Sequence, residues 1–488
     1  MELKKILMGL EGLKSKGNLD IEVNAVKSDS REIQENDMFV CIRGFKTDGH
    51  NYIDSVVEKG AKIIMIEEGY DIKTLKLPED VTLIVSPNTR YSLAICSANF
   101  HKNPSEKVKL IGITGTKGKT TTSYMIKKIL EEAGKKVGLI GTIANYIGNE
   151  KISDSSMTTP ESTQLQELLS RMVKENVDIV IMEVSSQSLK LDRVAGCKFD
   201  IGIFTNFSRD HIGEGEHESV EEYFNSKKKL FQMCEKAFIN TDDLYGNILI
   251  PSVECPVTTY GIDNSPEVCA KDIIINKEYV DFRLKINNVQ ERVRINIPGR
   301  FTVYNTLAAI LVSLQLEANA EHIKKALENI QIPGRSELVP NDKGITIMID
   351  YAHTPDSLQN ILKATKVYTK GRIITVFGCG GNRDRAKRAE MGKVSGNFAG
   401  FTIITSDNPR KENPQEIIND IEEGIKSVTD KYICIVDRTE AIKHALDMVR
   451  KDDIVILAGK GHETYQILNN ETIEYDERLI VKQILDGE

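Results

Sequence analysis

Short apolar runs rich in β-branched residues recur along the chain, each followed by glycine or a polar turn, and longer stretches with helical spacing lie between them. This alternation predicts an α/β chain of parallel sheets with crossover helices. In a first block, residues 1–105, the runs Met38–Ile42, Lys62–Ile66 and Thr82–Val85 predict strands, and Asn103-Pro104-Ser105 predicts a linker turn. A second block, residues 106–332, opens with a strand over Val108–Thr114. A helix over Thr120–Ala133 follows, with Ile126, Ile129, Leu130 and Ala133 on one face. Further strands are expected at Val137–Ile140, Ile179–Val184, Ile201–Thr205 and Ala237–Asn240. A third block, residues 333–488, begins at Pro333-Gly334, with strands at Ile345–Asp350, Arg372–Phe377, Phe401–Thr405, Tyr432–Val436 and Asp452–Ala458. Ligands of open parallel sheets collect beyond the carboxyl ends of the strands, so the residues just after each run are the first candidates for chemistry.

The bulk numbers fit this division. At ~100–200 residues per domain, a chain of 488 residues suits three. Hydrophobic residues make up 40% and charged residues 28%, with a net charge of −8. No basic block offers a nucleic-acid footprint and no basic amphipathic stretch suits a membrane surface, so small molecules are the expected partners. The opening MELKKILMGLEGLKSKG is interrupted by charge and reads as no signal peptide. No run approaches the ~18 apolar residues of a membrane span. The eight cysteines form no CxxC pair, which fits free thiols in a reducing cytoplasm rather than disulfides or a zinc site.

The strongest local signal is Ile111-Gly112-Ile113-Thr114-Gly115-Thr116-Lys117-Gly118-Lys119-Thr120, placed between a predicted strand and a predicted helix. Glycines let backbone N–H groups turn around phosphate oxygens, and the helix N-terminus adds its positive end. Lys119 supplies a point charge for the outer phosphates, and the Thr120 hydroxyl suits Mg²⁺. Ile113 stands where the usual G-x-x-x-x-G-K-[ST] form has its first glycine. Glu183 ends a neighbouring apolar run, where a carboxylate suits Mg²⁺ or an attacking nucleophile. His211, taken alone, reads as a packed imidazole, and Thr158-Thr159-Pro160 as a helix cap and proline start.

Taken together, TGTxGKT, MEVSS, TN…RDH, K-x-x-L-F, NTLAA, PGR, DYAHTP, GCGGNRD, SDNPR and GKGHE stand in the order found in the Mur ligases, from Ser30 to Glu463. The chain thus resembles that family over nearly its whole length. The last motifs look most like the branch that adds the third amino acid of the cell-wall peptide stem, of the meso-diaminopimelate-adding type. The resemblance implies three domains: an N-terminal domain binding a UDP-sugar substrate, a central P-loop ATPase domain and a C-terminal Rossmann-like domain. It implies an ATP-dependent amide ligase. ATP would phosphorylate the D-glutamate carboxylate of UDP-N-acetylmuramoyl-L-alanyl-D-glutamate, and the amine of meso-2,6-diaminopimelate would attack the acyl phosphate. A cytoplasmic monomer using Mg²⁺ is the expected form.

By the same resemblance, Gly115, Thr116, Lys117, Gly118, Lys119, Thr120 and Thr121 would hold ATP phosphates, with Asn305, Arg335 and Asp350 completing an ATP site between domains. Thr120, Glu183, His211 and Lys227 would surround Mg²⁺, and Lys119, Glu183, His211 and Lys227 would serve catalysis. Lys227 would be carbamylated (N6-carboxylysine), since a carbamate offers the anionic oxygens that Mg²⁺ prefers and an ammonium does not. Ser30, Thr158, Thr159, Ser185 and Arg193 would contact the UDP substrate.

The acceptor would lie against Arg383, Asp407, Asn408, Pro409, Arg410, Gly459 and Glu463. Arg410 can clamp the far carboxylate of diaminopimelate through two parallel hydrogen bonds, and would repel the bare ammonium of L-lysine. The chain departs from the family at Lys117, where asparagine is usual, at Gln187 and Ser226, and over Asp210–His217. Gln187 and the last stretch look more like the lysine-adding branch; L-lysine, LL-diaminopimelate and lanthionine are the alternative acceptors. A nucleotide-dependent switch is the alternative of another class.

Overall fold

A computed structural model describes residues 1–209, 212–213, 216–286, 289–469 and 471–487. The chain divides into two compact units. One comprises Met1–Val268 with Ala308–His322, and the other Cys269–Leu307 with Ile323–Glu488.

The first unit holds two sheets. In the N-terminal one the order is Lys14–Lys16, Thr82–Ser86, Ile63–Glu67, Met38–Val40, Val26–Lys27; only the first strand is antiparallel to its neighbour. Side chains alternate between two cores, as a period of two requires. Met38, Val40, Ile63 and Met65 face Leu93 and Cys96 of the helix Thr89–Phe100. Phe39, Ile64 and Ile66 face Ile53 and Val56 of the helix Ile53–Glu58. The second sheet runs in the order Val257–Gly261, Cys234–Asn240, Phe199–Phe204, Lys109–Thr114, Ile179–Glu183, Val137–Ile140, all parallel. A hairpin, Ala144–Ile147 and Glu150–Asp154, extends it antiparallel beyond Val137–Ile140. The carboxyl ends of the parallel strands therefore share one edge of the sheet, where Thr114, Glu183 and Thr205 emerge.

The second unit carries the strands Glu337–Leu338, Thr346–Asp350, Ile454–Ala458, Ile373–Phe377, Phe401–Ile404 and Tyr432–Cys434 in that spatial order, all parallel except the first. Again the strands alternate between two cores. Met348, Ile373, Phe377, Ile404 and Ile456 pack with Leu358, Met391 and Ile421 of three helices. Ile349, Ile374, Val376, Ile403 and Leu457 pack with Ile442 and Val481 of two others.

Each predicted run is a strand, with ends displaced by up to a few residues. The shift at Asp452 has a visible cause. Asp452 sits at φ +67°, and the Asp453 carboxylate takes the Arg372 backbone N–H and guanidinium, so the strand begins at Ile454. The predicted helix forms over Lys119–Glu132 with Ile126, Ile129 and Leu130 buried, and Ala133 serves as its C-cap. The strands Val268–Ile275, Val280–Ile286 and Val289–Ile295 were not anticipated; the last two pair antiparallel. In the last two, apolar residues alternate with charged or polar ones, so they lack the continuous runs that mark buried parallel strands. Among the described residues no helix is long and apolar enough to cross a membrane.

Candidate active site

The strand Lys109–Thr114 leads into a loop that ends at Gly118, the N-cap of the helix Lys119–Glu132. Gly115 adopts φ +148° and Gly118 φ +87°, conformations that side chains resist. A Cβ on Gly115 would also collide with Thr205 Oγ1. Residues after the neighbouring strand hold the loop in shape. Asn206 accepts from the Lys117 N–H through Oδ1 at 2.9 Å and from the Thr116 N–H through its carbonyl at 2.9 Å. Its Nδ2 and the Thr205 hydroxyl both donate to Lys117 O. Lys119 Nζ folds back onto Gly115 O and Thr116 O, at 2.9 and 3.1 Å. Thr121 completes the first turn of the helix and is buried.

Glu183 is wholly shielded and is satisfied by three donors. The Thr120 and Thr142 hydroxyls each donate to Oε2 at 2.9 Å, and the Thr142 N–H donates to Oε1 at 3.1 Å. The approach depends on Gly141, where a Cβ would strike the carboxylate. Thr120 and Glu183 thus form an all-oxygen corner beside the loop, a donor set that fits a hard divalent cation. Among the described residues no three His, Cys, Asp or Glu side chains gather to hold a metal by themselves. Lys227 is 1% exposed; its Nζ donates to Gly115 O at 2.9 Å and lies 4.4 Å from the Tyr223 ring centre. The Tyr223 hydroxyl in turn lies 3.1 Å from Thr116 Oγ1. His211 lies outside the described residues.

Four of the five predicted UDP-substrate residues come together at the same strand end as Glu183. Thr159 Oγ1 donates to Glu183 O and accepts the Ser185 N–H. Arg193 donates to Thr159 O and pairs with Glu161 at 2.6 Å. Thr158 and Thr142 hydroxyls lie 3.1 Å apart, which links this cluster to Glu183. Ser30 sits in the N-terminal sheet's own turn, where its carbonyl accepts from Lys59 Nζ. No described hydrogen bond joins Ser30 to the Thr159 cluster.

In the second unit the motifs PGR, DYAHTP and GKGHE converge. Tyr351 N–H donates to Gly334 O, and a Cβ on Gly334 would collide with the Gly461-His462 backbone. The Arg335 guanidinium lies 4.9 Å from the Tyr351 ring centre, and the His462 ring lies 4.8 Å from it. The Asp350 carboxylate accepts the Ser336 N–H, and burial raises its pKa against the pull of Arg335. Burial, with Arg335 and Arg478 nearby, holds the His462 imidazole down to about 4. Asn305 is buried on the helix Arg300–Gln315.

Two loops face each other after the strands Ile373–Phe377 and Phe401–Ile404. Gly381 N–H donates to Asn408 O, and Arg410 Nη1 donates to Gly381 O at 3.0 Å. The Asn382 N–H donates to Glu412, whose carboxylate is gripped by the buried Arg388 guanidinium. Arg410 has φ +53°, and its N–H donates to Ile467 O of the hairpin Tyr465–Leu468 and Glu471–Glu474. Asn408 points its Nδ2 at Glu463 Oε2, 2.8 Å away, while its Oδ1 accepts from Lys460 Nζ and the Ile467 N–H. Burial and the Asp407 charge raise the Glu463 pKa. Gly459, at φ +112°, lets the Asp407 carboxylate approach: a Cβ there would lie 2.8 Å from Oδ2. Pro409 is buried and Arg383 is exposed. Asn408, Arg410 and Glu463 are therefore joined by hydrogen bonds that also take in Lys460, Pro409 O accepts the Glu412 N–H and so brings in Arg388, and Gly459 meets the group through the close approach of Asp407. Thr142, Tyr223 and Lys460 were not singled out from the sequence; Thr142 follows a strand and was open to the strand-end rule.

Comparison with known proteins agrees with this layout. Family models match three successive segments: "Mur ligase family, catalytic domain" over residues 22–110, "Mur ligase middle domain" over 113–313 and "Mur ligase, glutamate ligase domain" over 334–461. The UDP-N-acetylmuramoyl-L-alanyl-D-glutamate--2,6-diaminopimelate ligase of Clostridium perfringens is 46% identical over 494 positions, covering 100% of each chain. Its namesake in Caldanaerobacter subterraneus is 47% identical over 99% of each. A solved structure of a ligase of that name superposes with a TM-score of 0.71 at 28% identity, covering 100% of this chain and 99% of that one. The MurF ligase from Thermotoga maritima in complex with ADP shares the fold, with a TM-score of 0.62 at 17% identity over 95% and 97% of the two chains. The ordered motifs, the parallel sheets and these full-length matches have one reading: the chain belongs to the Mur ligase family.

Proposed function

We propose that this chain is an ATP-dependent ligase that joins meso-2,6-diaminopimelate to the D-glutamate of UDP-N-acetylmuramoyl-L-alanyl-D-glutamate during assembly of peptidoglycan precursor. The observation that carries this reading is the end-to-end match to ligases named for joining 2,6-diaminopimelate to UDP-N-acetylmuramoyl-L-alanyl-D-glutamate. In the proposed sequence a carboxylate oxygen of D-glutamate attacks the γ-phosphorus of ATP and ADP leaves. The acceptor amine then attacks the acyl carbon, a tetrahedral intermediate forms, phosphate departs and the amine gives up a proton. A carboxylate is a poor electrophile, and phosphorylation supplies its leaving group.

We assign the phosphates of ATP to Gly115, Thr116, Lys117, Gly118, Lys119, Thr120 and Thr121, with the Lys119 ammonium turned from its carbonyl partners toward phosphate oxygen. The Thr116 and Lys117 N–H groups are held by Asn206, which leaves the first helical turn as the main source of backbone donors. Asn305, Arg335 and Asp350 are assigned to ATP as well. Thr120 and Glu183, with His211 and a carbamylated Lys227, would hold Mg²⁺, whose role is to offset the repulsion between two anions. Ser30, Thr158, Thr159, Ser185 and Arg193 are assigned to the UDP substrate. Arg383, Asp407, Asn408, Pro409, Arg410, Gly459 and Glu463 form the acceptor pocket, with Arg410 on the far carboxylate. We also assign the chain to the cytoplasm, as a monomer.

The test is phosphate release. A ligase releases phosphate in quantity only with both the nucleotide-dipeptide and a diamino acid present. Steady release from ATP alone, unchanged by either substrate, would instead mark a nucleotide-driven switch.

A further inference from the structure

Arg438 opens the helix Arg438–Asp447, which Asp437 caps. Its guanidinium has no exposed surface and makes three directed bonds. Nη1 donates to Ser406 O at 3.1 Å, Nη2 to Ala458 O at 3.0 Å and Nε to Glu477 Oε1 at 2.8 Å. Ser406 directly precedes Asp407-Asn408, and Ala458 directly precedes Gly459-Lys460. The strands that deliver these two loops are not neighbours, because Ile373–Phe377 lies between them. One planar fork therefore spans a strand and ties two loops that no shared ladder connects. Glu477, equally buried, opens the final helix Glu477–Asp486 and fixes the fork from behind.

Stability alone is a weak reason for such a pair. Removing two charges from water is costly, and apolar residues of similar volume often replace a buried pair without loss. An apolar pair cannot donate to two carbonyls at a set separation. The separation matters at Gly459, which sits at φ +112° and where a Cβ would lie 2.8 Å from the Asp407 carboxylate. We propose that Arg438, braced by Glu477, is a positioning residue that sets the spacing of the Asp407-Asn408 and Gly459-Lys460 loops and so the fit of the acceptor. This inference rests on the acceptor-pocket reading above.

The experiment compares full-length wild type with Arg438→Met/Glu477→Leu, Arg438→Lys and, as a control on the pocket itself, Arg410→Ala. Steady-state KM is measured for meso-diaminopimelate, ATP and the nucleotide-dipeptide, beside Tm. The double variant is expected to lose a few degrees of Tm, because two buried carbonyls lose this donor, and to keep ATP and dipeptide KM values within about twofold, while acceptor KM rises about tenfold or more, as a small misplacement of binding groups predicts. Arg438→Lys keeps the charge but cannot span both carbonyls, and is expected to show the same selective rise. It decides the matter if the double variant does not fold. Wild-type acceptor KM in either folded variant, or an equal rise for all three substrates, overturns the proposal. Arg410→Ala with unchanged acceptor KM would overturn the pocket reading instead.

Discussion

The Thr120 hydroxyl donates a 2.9 Å hydrogen bond to the buried carboxylate of Glu183, although 63 positions separate them in the chain. The bond joins the start of the loop helix to the end of a neighbouring parallel strand. Replacing Glu183 by Gln preserves shape but removes the charge and turns one acceptor into a donor facing two hydroxyls. Ligation by Glu183→Gln is expected to fall about a hundredfold or more, with Tm lowered by only a few degrees. A coupled assay for ADP checks this, and near-normal turnover would remove Glu183 from the catalytic set.

Lys227 is the second test of the same corner. Lys227→Ala is expected to abolish ligation, and millimolar acetate or formate is expected to restore part of it by supplying an oxygen ligand where a carbamate would stand. Full activity without rescue would leave Lys227 as a packing residue over Tyr223.

Gly115 bears on the loop itself. Gly115→Ala places a methyl group against Thr205 at a φ that alanine avoids, a cost of about 1–3 kcal/mol. Calorimetric titration is expected to show loss of ATP binding, whereas wild-type affinity would mean that the loop adjusts freely.

Arg410 addresses acceptor choice. Arg410→Ala is expected to raise KM for meso-diaminopimelate by about a hundredfold, the worth of a bidentate charged contact, and to leave KM for ATP within about twofold. Parallel losses for both substrates would place Arg410 in general folding rather than recognition.

Acid sensitivity should follow from His462. The folded chain keeps this imidazole neutral down to about 4, while the unfolded chain protonates it near 6.5. Between those values the unfolded state binds the extra proton, so stability falls as pH drops through the window and the loss is complete below it. The loss is up to about 3 kcal/mol. Urea unfolding at several pH values should give a shallower acid slope for His462→Asn than for wild type, and identical slopes would refute this assignment.

Much of the architecture could be read from the chain because parallel strands buried on both faces leave continuous β-branched runs, as at Ile179–Glu183 and Ile454–Ala458. Residues at or just beyond the ends of such runs, among them Glu183 and Asp407, were accessible for the same reason. The charged, alternating strands Val280–Ile286 and Val289–Ile295 left no such trace. Arg438 and Tyr223 were hidden differently. Each sits in a helix and looks like an ordinary surface or packing residue until the fold brings Ser406 and Ala458, or Thr116, against it. The carbonyl partners of Arg438 carry no sequence signal at all, since every residue has a carbonyl.

The most direct test is an acceptor panel. Purified protein with ATP and UDP-N-acetylmuramoyl-L-alanyl-D-glutamate is offered meso-diaminopimelate, LL-diaminopimelate, lanthionine and L-lysine separately, and product mass is recorded. The account predicts a tripeptide product with meso-diaminopimelate formed at least about a hundredfold faster than with L-lysine, the discrimination a buried charged contact supplies. Equal turnover of the two, or preference for L-lysine, would contradict it.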